Sequence, residues 1–253
     1  MDLGLKGKRA IVTGGTRGIG RKIVDLLVAE GCDVGLCARD AGPVDEAVAT
    51  LSKGGGTVIG GVVDVTDDTG VRAWVANTAR ALGGLDILIP NASALVGTAS
   101  VSDWRLGMEV DILGTVRAVE AAMPFLEDSD AASIVAIAST AAVNISGGVR
   151  AYSGHKAAII SYMSALSTVH GAQGVRANTV SPGAIYFEGG VWDVRKREAP
   201  EAYAAAEARS PMKRLGAPEE VANGVVFLAS PAASYISGTN LIVDGAATTR
   251  IQY

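Results

Sequence analysis

Short apolar runs rich in Val and Ile recur along the chain at 10–13, 33–38, 58–63, 85–89, 134–138, 177–180 and 241–243. Runs of that length, separated by polar and glycine-containing sequence, read as buried strands. Between the first two, Ile19, Ile23, Leu26 and Leu27 recur at helical spacing and Gly31 supplies a stop. The other gaps predict helices at 44–53, 67–82, 102–126, 152–170 and 218–229. The last is opened by Pro218, with Glu219 and Glu220 in its first turn, where the helix dipole favours acids. Regular alternation of strand and helix implies an α/β fold with a parallel sheet covered on both faces. No repeat or linker divides the pattern, so residues 1–253 are expected to form one domain.

The rhythm breaks between 183 and 211. No strand-like run occurs there, yet Tyr186, Phe187, Trp192, Tyr203 and Met212 gather among mixed charges. An open α/β sheet places ligand-covering structure just after a strand's carboxyl end, so 184–212 is expected to form a substrate lid with two short helices. A structural loop whose aromatics fill a small core of their own is the alternative. The basic run Arg195-Lys196-Arg197 reads as a solvated helix face.

Composition narrows the classes. Apolar residues make up 49% of the 253 and charged residues 19%, which excludes fibrous and disordered chains. Aromatics are only 5% while Gly numbers 32, so the core must come from Ala, Val, Ile and Leu with close backbone approaches. A net charge of −4 argues against nucleic-acid and membrane-surface partners, leaving a small soluble substrate. The uncharged stretches 131–149 and 157–175 are long enough to span a bilayer, but their serines, Asn144, Gln173 and Gly147-Gly148 suit buried elements better. Residues 1–8 carry no apolar signal region. Cys32 and Cys37 are too few for a disulfide framework, and their odd spacing puts them on opposite faces of a strand. A reduced, cytoplasmic protein is expected.

The first strand runs into Thr13-Gly14-Gly15-Thr16-Arg17-Gly18-Ile19-Gly20 and then into a helix. Gly14 permits the tight turn, Gly18 lets backbone approach a pyrophosphate, and Gly20 lets the helix pack close to the sheet. In that context the loop reads as a dinucleotide site. An NAD-preferring site usually carries an acid at the tip of the second strand. Here the tip reads Cys37-Ala38-Arg39-Asp40, with Ala38 at the acidic position and Arg17 projecting from the glycine loop. Arg39 and Arg17 suit a 2′-phosphate, which predicts NADP (NADPH) rather than NAD. If the strand runs two residues further, Asp40 binds the ribose and NAD is preferred.

The glycine pattern at 13–20, Ser139, and Tyr152-Ser153-Gly154-His155-Lys156 together resemble the short-chain dehydrogenase/reductase family in its single-domain form. Leu85-Asp86-Ile87-Leu88 with Asn91-Ala92, Ser181-Pro182-Gly183, the stretch 214–220 and the stretch 238–245 follow in the family's order. The likeness spans almost the whole chain and is nearest to 3-oxoacyl-carrier-protein reductase-like members. It implies a doubly wound Rossmann sheet of seven parallel strands with helices on both faces. It also implies reversible hydride transfer between NADP and a ketone or secondary alcohol, and needs no metal. The cofactor residues that it implies are Gly14, Thr16, Arg17, Gly18, Ile19, Gly20, Arg39, Asp64, Val65, Asn91, Ala92, Tyr152, Lys156, Pro182, Gly183 and Ile185. A homotetramer through the helices at 102–126 and 152–170 is implied as well. Ala151, Gly154, Ala158, Ser161 and Ala165 would let helices approach closely there.

Ketone reduction needs a hydride donor, an acid at the carbonyl oxygen and a group that stabilises the developing alkoxide. Tyr152 is the candidate acid. A free phenol titrates near about 10, so it needs a nearby positive charge, and Lys156 shares its helix face at about 5–6 Å between Cβ atoms. Ser139, delivered from a strand end, offers the substrate oxygen a second hydrogen bond. By resemblance Lys156 also binds the nicotinamide ribose. His155 reads as an incidental helix residue.

The sequence departs from the family's pattern in three places. Asp111 completes the candidate catalytic set with Ser139, Tyr152 and Lys156, standing where the family usually has an Asn that helps hold a water-linked proton path. A carboxylate there makes that path charge-dependent. Pro90-Asn91-Ala92-Ser93 replaces Asn-Asn-Ala-Gly, and Phe187 stands where a Thr commonly contacts the carboxamide. A non-catalytic NADP-binding sensor or scaffold on the same fold is the alternative to the enzyme.

Overall fold

The computed structural model describes residues 2–144 and 148–249, so part of the stretch 131–149 lies outside the described residues. Seven strands form one sheet: β1 (Arg9–Thr13), β2 (Asp33–Ala38), β3 (Val58–Val62), β4 (Ile87–Ile89), β5 (Ser133–Ile137), β6 (Arg176–Pro182) and β7 (Asn240–Val243). Their order is β3-β2-β1-β4-β5-β6-β7, and every neighbouring pair is parallel. The helices are α1 (Gly18–Ala29), α2 (Ala41–Leu51), α3 (Asp68–Ala81), α4 (Val101–Gly107), α5 (Gly114–Leu126), α6 (Ala151–Val169), α7 (Val191–Glu198), α8 (Pro200–Arg209) and α9 (Pro218–Ala229). Among the described residues no helix is long and apolar enough to cross a membrane.

Strand alternation sorts the core into two layers. Ala10, Val12, Val135 and Ile137 face a cluster with Ile23 and Leu27 of α1 and Val221, Val225 and Val226 of α9. Ile11, Ile134 and Ala136 face the other way, toward Val75 of α3, Val119 of α5 and Met163 of α6. Each fully buried Val or Leu is worth roughly 1.5–3 kcal/mol as an upper bound. Cys32 belongs to the first layer and Cys37 to the second; both are free thiols, pushed up to about 12 by burial. The strand order reverses between β1 and β4, and the crevice beyond their carboxyl ends is where such sheets bind ligands.

Two elements differ from the sequence expectation. The helix over 102–126 is interrupted by a π-helical turn at Met108–Leu113. An apolar period cannot register one extra residue per turn, and such turns gather at functional sites. β4 begins at Ile87 rather than at 85, although the Asp86 backbone still donates to the Arg9 carbonyl and accepts the Ser133 amide, both at 2.9 Å.

The segment 184–212 carries the two short helices expected, α7 and α8. Its basic run is not simply solvated. Arg195 lies 4.6 Å from the Trp192 ring centroid, while Lys196 lies 5.1 Å from Tyr186 and 5.5 Å from Tyr203. Tyr203 also packs edge-on to Tyr186 and Trp192 at 6.2 and 6.4 Å. These aromatics therefore form a small cation-covered cluster of their own. Arg214 anchors the segment to α9 by pairing with Glu220 at 2.7 Å. That pairing, with the Ala217 amide, draws the Glu220 carboxyl down to about 2.

Asp86 ties β1 to the start of β4. Its buried carboxylate accepts the Arg9 amide, Nε and Nη2, each at 2.8 Å, and the Ser129 hydroxyl at 2.6 Å. Burial alone would raise its carboxyl, but the bonds from Arg9 and Ser129 hold it below the usual carboxylate range. A lowered folded-state value gives stability that is present above the unfolded value and lost as pH falls through the folded one. Asp86→Asn should therefore cost about 3 kcal/mol at neutral pH, with the deficit shrinking toward pH 3. Urea melts of both proteins across that range measure it; a deficit independent of pH would refute the electrostatic account.

Candidate active site

The glycine loop is built against β4 as much as onto α1. The Thr13 hydroxyl accepts the amides of Asn91 at 3.0 Å and Ala92 at 3.1 Å. The Asn91 side-chain amide returns to the carbonyls of Thr13 at 3.0 Å and Gly14 at 2.9 Å. Asn91 thus shapes the loop from behind. Gly14 and Gly18 take φ of +67° and +55°, the left-handed region that glycine adopts without strain. A Cβ at Gly20 would run into the Gly14 carbonyl and the Asn91 amide. The first turn of α1 has no side-chain cap, so its N–H groups face the crevice beside Thr16 and Ile19 without a competing acceptor.

β2 ends at Ala38, and Asp40 is already the residue preceding α2. Arg17 and Arg39 are exposed, and neither has an ion pair among the described residues. On the neighbouring strand end, the Asp64 carboxylate accepts the amide and hydroxyl of Thr66, both at 2.9 Å. Those bonds, and more weakly the Arg39 charge, hold it below the usual carboxylate range. Val65 is buried, and its carbonyl accepts Arg117 at 3.2 Å.

Across the crevice, Pro182 and Gly183 close β6, and Ile185 forms a parallel bridge to Gly216. Phe187 then folds back onto the loop. A Cβ on Gly18 would meet its ring at 2.6 Å, and one on Gly190 at 2.9 Å. The residue at the family's Thr position therefore joins the segment 184–212 directly to the glycine loop.

The proton-handling side chains come from three elements. Ser139 follows β5 and caps a short turn, its oxygen accepting the Ala141 amide at 3.1 Å while its own proton has no acceptor among the described residues. Tyr152 is partly buried on the first turn of α6, and its hydroxyl has no protein partner among the described residues. Lys156, 2% exposed, lies one turn on, with Nζ 5.6 Å from the Tyr152 ring centroid. The ammonium donates to the Ile137 carbonyl and to Asp111 Oδ1, both at 3.0 Å, leaving one proton. Asp111, 1% exposed on the π-helical turn, also accepts the Ser93 hydroxyl at 2.6 Å and the Ala94 amide at 2.9 Å. His155 is not incidental: it is fully buried, packs edge-on to Trp104 at 4.9 Å and shares a hydrogen bond with the Trp104 carbonyl.

Residues 14–248 match the family model described as enoyl-(acyl carrier protein) reductase. The chain is 37% identical over 249 residues to isoepoxydon dehydrogenase of Penicillium expansum, covering 97% of this chain and 96% of that protein. A short-chain dehydrogenase from Burkholderia cenocepacia, solved in complex with NADP, superposes with a TM-score of 0.87 at 31% identity, covering 96% and 99% of the two chains. The chain belongs to the short-chain dehydrogenase/reductase family. L-sorbose reductase from Gluconobacter frateurii, complexed with NADPH and L-sorbose, superposes with a TM-score of 0.90 at 30% identity, covering 99% and 100%.

Within this short-chain dehydrogenase/reductase, the structure brings Tyr152, Lys156 and Asp111 into one cluster at the crevice and places the glycine loop, Asn91 and Ala92 along its wall. Sequence reading missed two participants. The Ile137 carbonyl carries no side-chain signal, whereas Ser93 stood at a visible departure from the family pattern and its link to Asp111 needed the fold. Gly20→Ala should abolish detectable NADPH binding, because the added methyl meets backbone on the Gly14 side and cannot be moved aside as a flexible side chain could. Titration of NADPH fluorescence reads this, and affinity within threefold of wild type would show that the loop relaxes.

Proposed function

We propose that the protein is an NADP-dependent oxidoreductase that reversibly moves a hydride between the nicotinamide and a ketone or secondary alcohol. The observation that carries this reading is Lys156, buried beside the Tyr152 ring and, among the described residues, with two of its three ammonium protons engaged. The cradle fits a dinucleotide: methyl groups at Gly14 and Gly20 would meet backbone, and Gly14 and Gly18 hold conformations that favour glycine. When bound, NADPH supplies the hydride. Tyr152 donates its proton to the carbonyl oxygen, Ser139 donates a hydrogen bond to the same oxygen, and the Lys156 charge stabilises the phenolate that remains. In the oxidative direction the same groups accept the alcohol proton. We place residues 1–253 in one Rossmann domain with a lid at 184–212, whose half-buried aromatics favour a small, partly apolar ketone.

A homotetramer is supported by the exposed Val101, Trp104, Leu106 and Met108 of α4 and the adjoining π-helical turn, beside the small residues of α6. Free, buried Cys32 and Cys37 support a reducing, cytoplasmic setting. Tyr152→Phe should leave NADPH affinity near wild type while lowering kcat by roughly 10²–10⁴ with any ketone that the wild type reduces, such as one found in an NADPH-oxidation panel. Near-normal turnover would remove Tyr152 from the acid's role, and binding without turnover across the panel would favour the sensor alternative.

Cofactor choice rests on the tip of β2. With the strand ending at Ala38, no carboxylate sits where it would repel a 2′-phosphate, and Asp40 lies beyond the tip. Arg39 and Arg17 offer charge-assisted bonds that solvent screening reduces, giving an expected preference for NADPH over NADH of about 10- to 10³-fold in kcat/KM. Ala38→Asp and Arg39→Ala should each erode it. A wild-type preference for NADH, kept in Arg39→Ala and lost in Asp40→Ala, would assign the ribose to Asp40 instead.

A further inference from the structure

The loop after β4 reaches the catalytic lysine through a single buried carboxylate. Asp111 Oδ1 receives the Ser93 hydroxyl at 2.6 Å and the Lys156 ammonium at 3.0 Å, while Oδ2 receives the Ala94 amide at 2.9 Å. Ser93 is itself held, since its oxygen accepts the Leu95 amide at 3.2 Å. Leu95 takes a φ of +52°, a conformation that a side-chain-bearing residue adopts only when its surroundings impose it. The turn at 93–95 is thus wrapped onto Asp111, and Asp111 is fixed to Lys156. We propose that Ser93 and Asp111 act together as a positioning unit for Lys156, holding its ammonium by a direct, oriented ion pair, with Ser93 as a positioning residue for the reaction.

The chemistry requires both members. A buried carboxylate and ammonium are tolerated when the remaining lone pairs and protons are also satisfied. Ile137 satisfies a second Lys156 proton, and the Ala94 amide satisfies Oδ2. Ser93 aims Oδ1, the oxygen that the lysine uses, so removing its hydroxyl leaves the Ala94 amide as the one contact from this turn that still orients the carboxylate. Other polar groups nearby are engaged elsewhere: Glu109, on the same π-helical turn, pairs with Arg117 at 3.0 Å, and His155 faces Trp104 and Gly107. Neither Ser93 nor Asp111 need touch substrate, because they act through Lys156.

This inference rests on the carbonyl-reductase reading, and the test separates the two. With the fastest ketone of the panel, Ser93→Ala should lower kcat about tenfold with NADPH affinity and melting temperature near wild type. Ser93→Thr, which keeps the hydroxyl, should recover most of that rate. In an Asp111→Asn background, Ser93→Ala should add little further loss. Crystal structures of wild type and Ser93→Ala supply a readout independent of turnover, with the Asp111–Lys156 contact lengthening beyond about 3.5 Å in the variant. An unchanged contact, a kcat within twofold of wild type, or Ser93 and Asp111 losses that multiply independently would overturn the positioning unit. An inactive Tyr152→Phe beside fully active Ser93 variants would sink this inference alone, whereas an active Tyr152→Phe would sink the reaction assignment.

Discussion

Everything chemical in this molecule depends on keeping one ammonium group buried and charged. Lys156 is almost wholly removed from water, and an unpaired charge there would cost several kcal/mol. The fold answers by bringing β5, α6 and the π-helical turn to one point, so that a carbonyl, a phenol ring and a carboxylate surround Nζ. The π-helical turn is part of that answer: it is where the protein sets a fully buried Asp111 into the interface between α4, α5 and α6. Its local register is closed by the Thr115 hydroxyl on the Asp111 carbonyl at 2.7 Å.

The same economy governs the glycine loop. Four hydrogen bonds join Thr13-Gly14 to Asn91-Ala92 between the ends of β1 and β4, the two strands at which the sheet reverses order. The loop's shape is therefore a property of the sheet and needs no ligand to define it. Because residue 91 and residue 93 are two positions apart in one short loop, the wall of the dinucleotide site and the anchor of Lys156 share a backbone.

Most of the fold was legible because parallel, doubly covered strands leave continuous apolar runs, and β1, β2 and β7 fall close to where those runs lie. The proximity of Tyr152 and Lys156 was legible because helical spacing alone puts them on one face. The π-helical turn was not, since the apolar period continues through it. Nor was the covering of Trp192, Tyr186 and Tyr203 by Arg195 and Lys196, because a charge run reads the same whether it meets water or rings. His155 shows the opposite failure: an unremarkable helix position became fully buried once Gly107 left room for its ring.

The departures from the family pattern make more sense in combination than singly. A carboxylate at 111 without Ser93 would carry one lone pair fewer satisfied in a buried site, and a serine at 93 without the carboxylate would lose its 2.6 Å acceptor. Phe187 belongs to a separate arrangement on the far side of the crevice, where its ring lies between Gly18 and Gly190. A threonine could not bridge that gap with dispersion contacts, whereas a ring spanning two bare glycine surfaces can. One substitution pair thus fixes the lysine from beneath, and one substitution packs the segment after β6 onto the glycine loop from above. The three changes are local solutions to two separate contacts, which is why none of them disturbs the sheet.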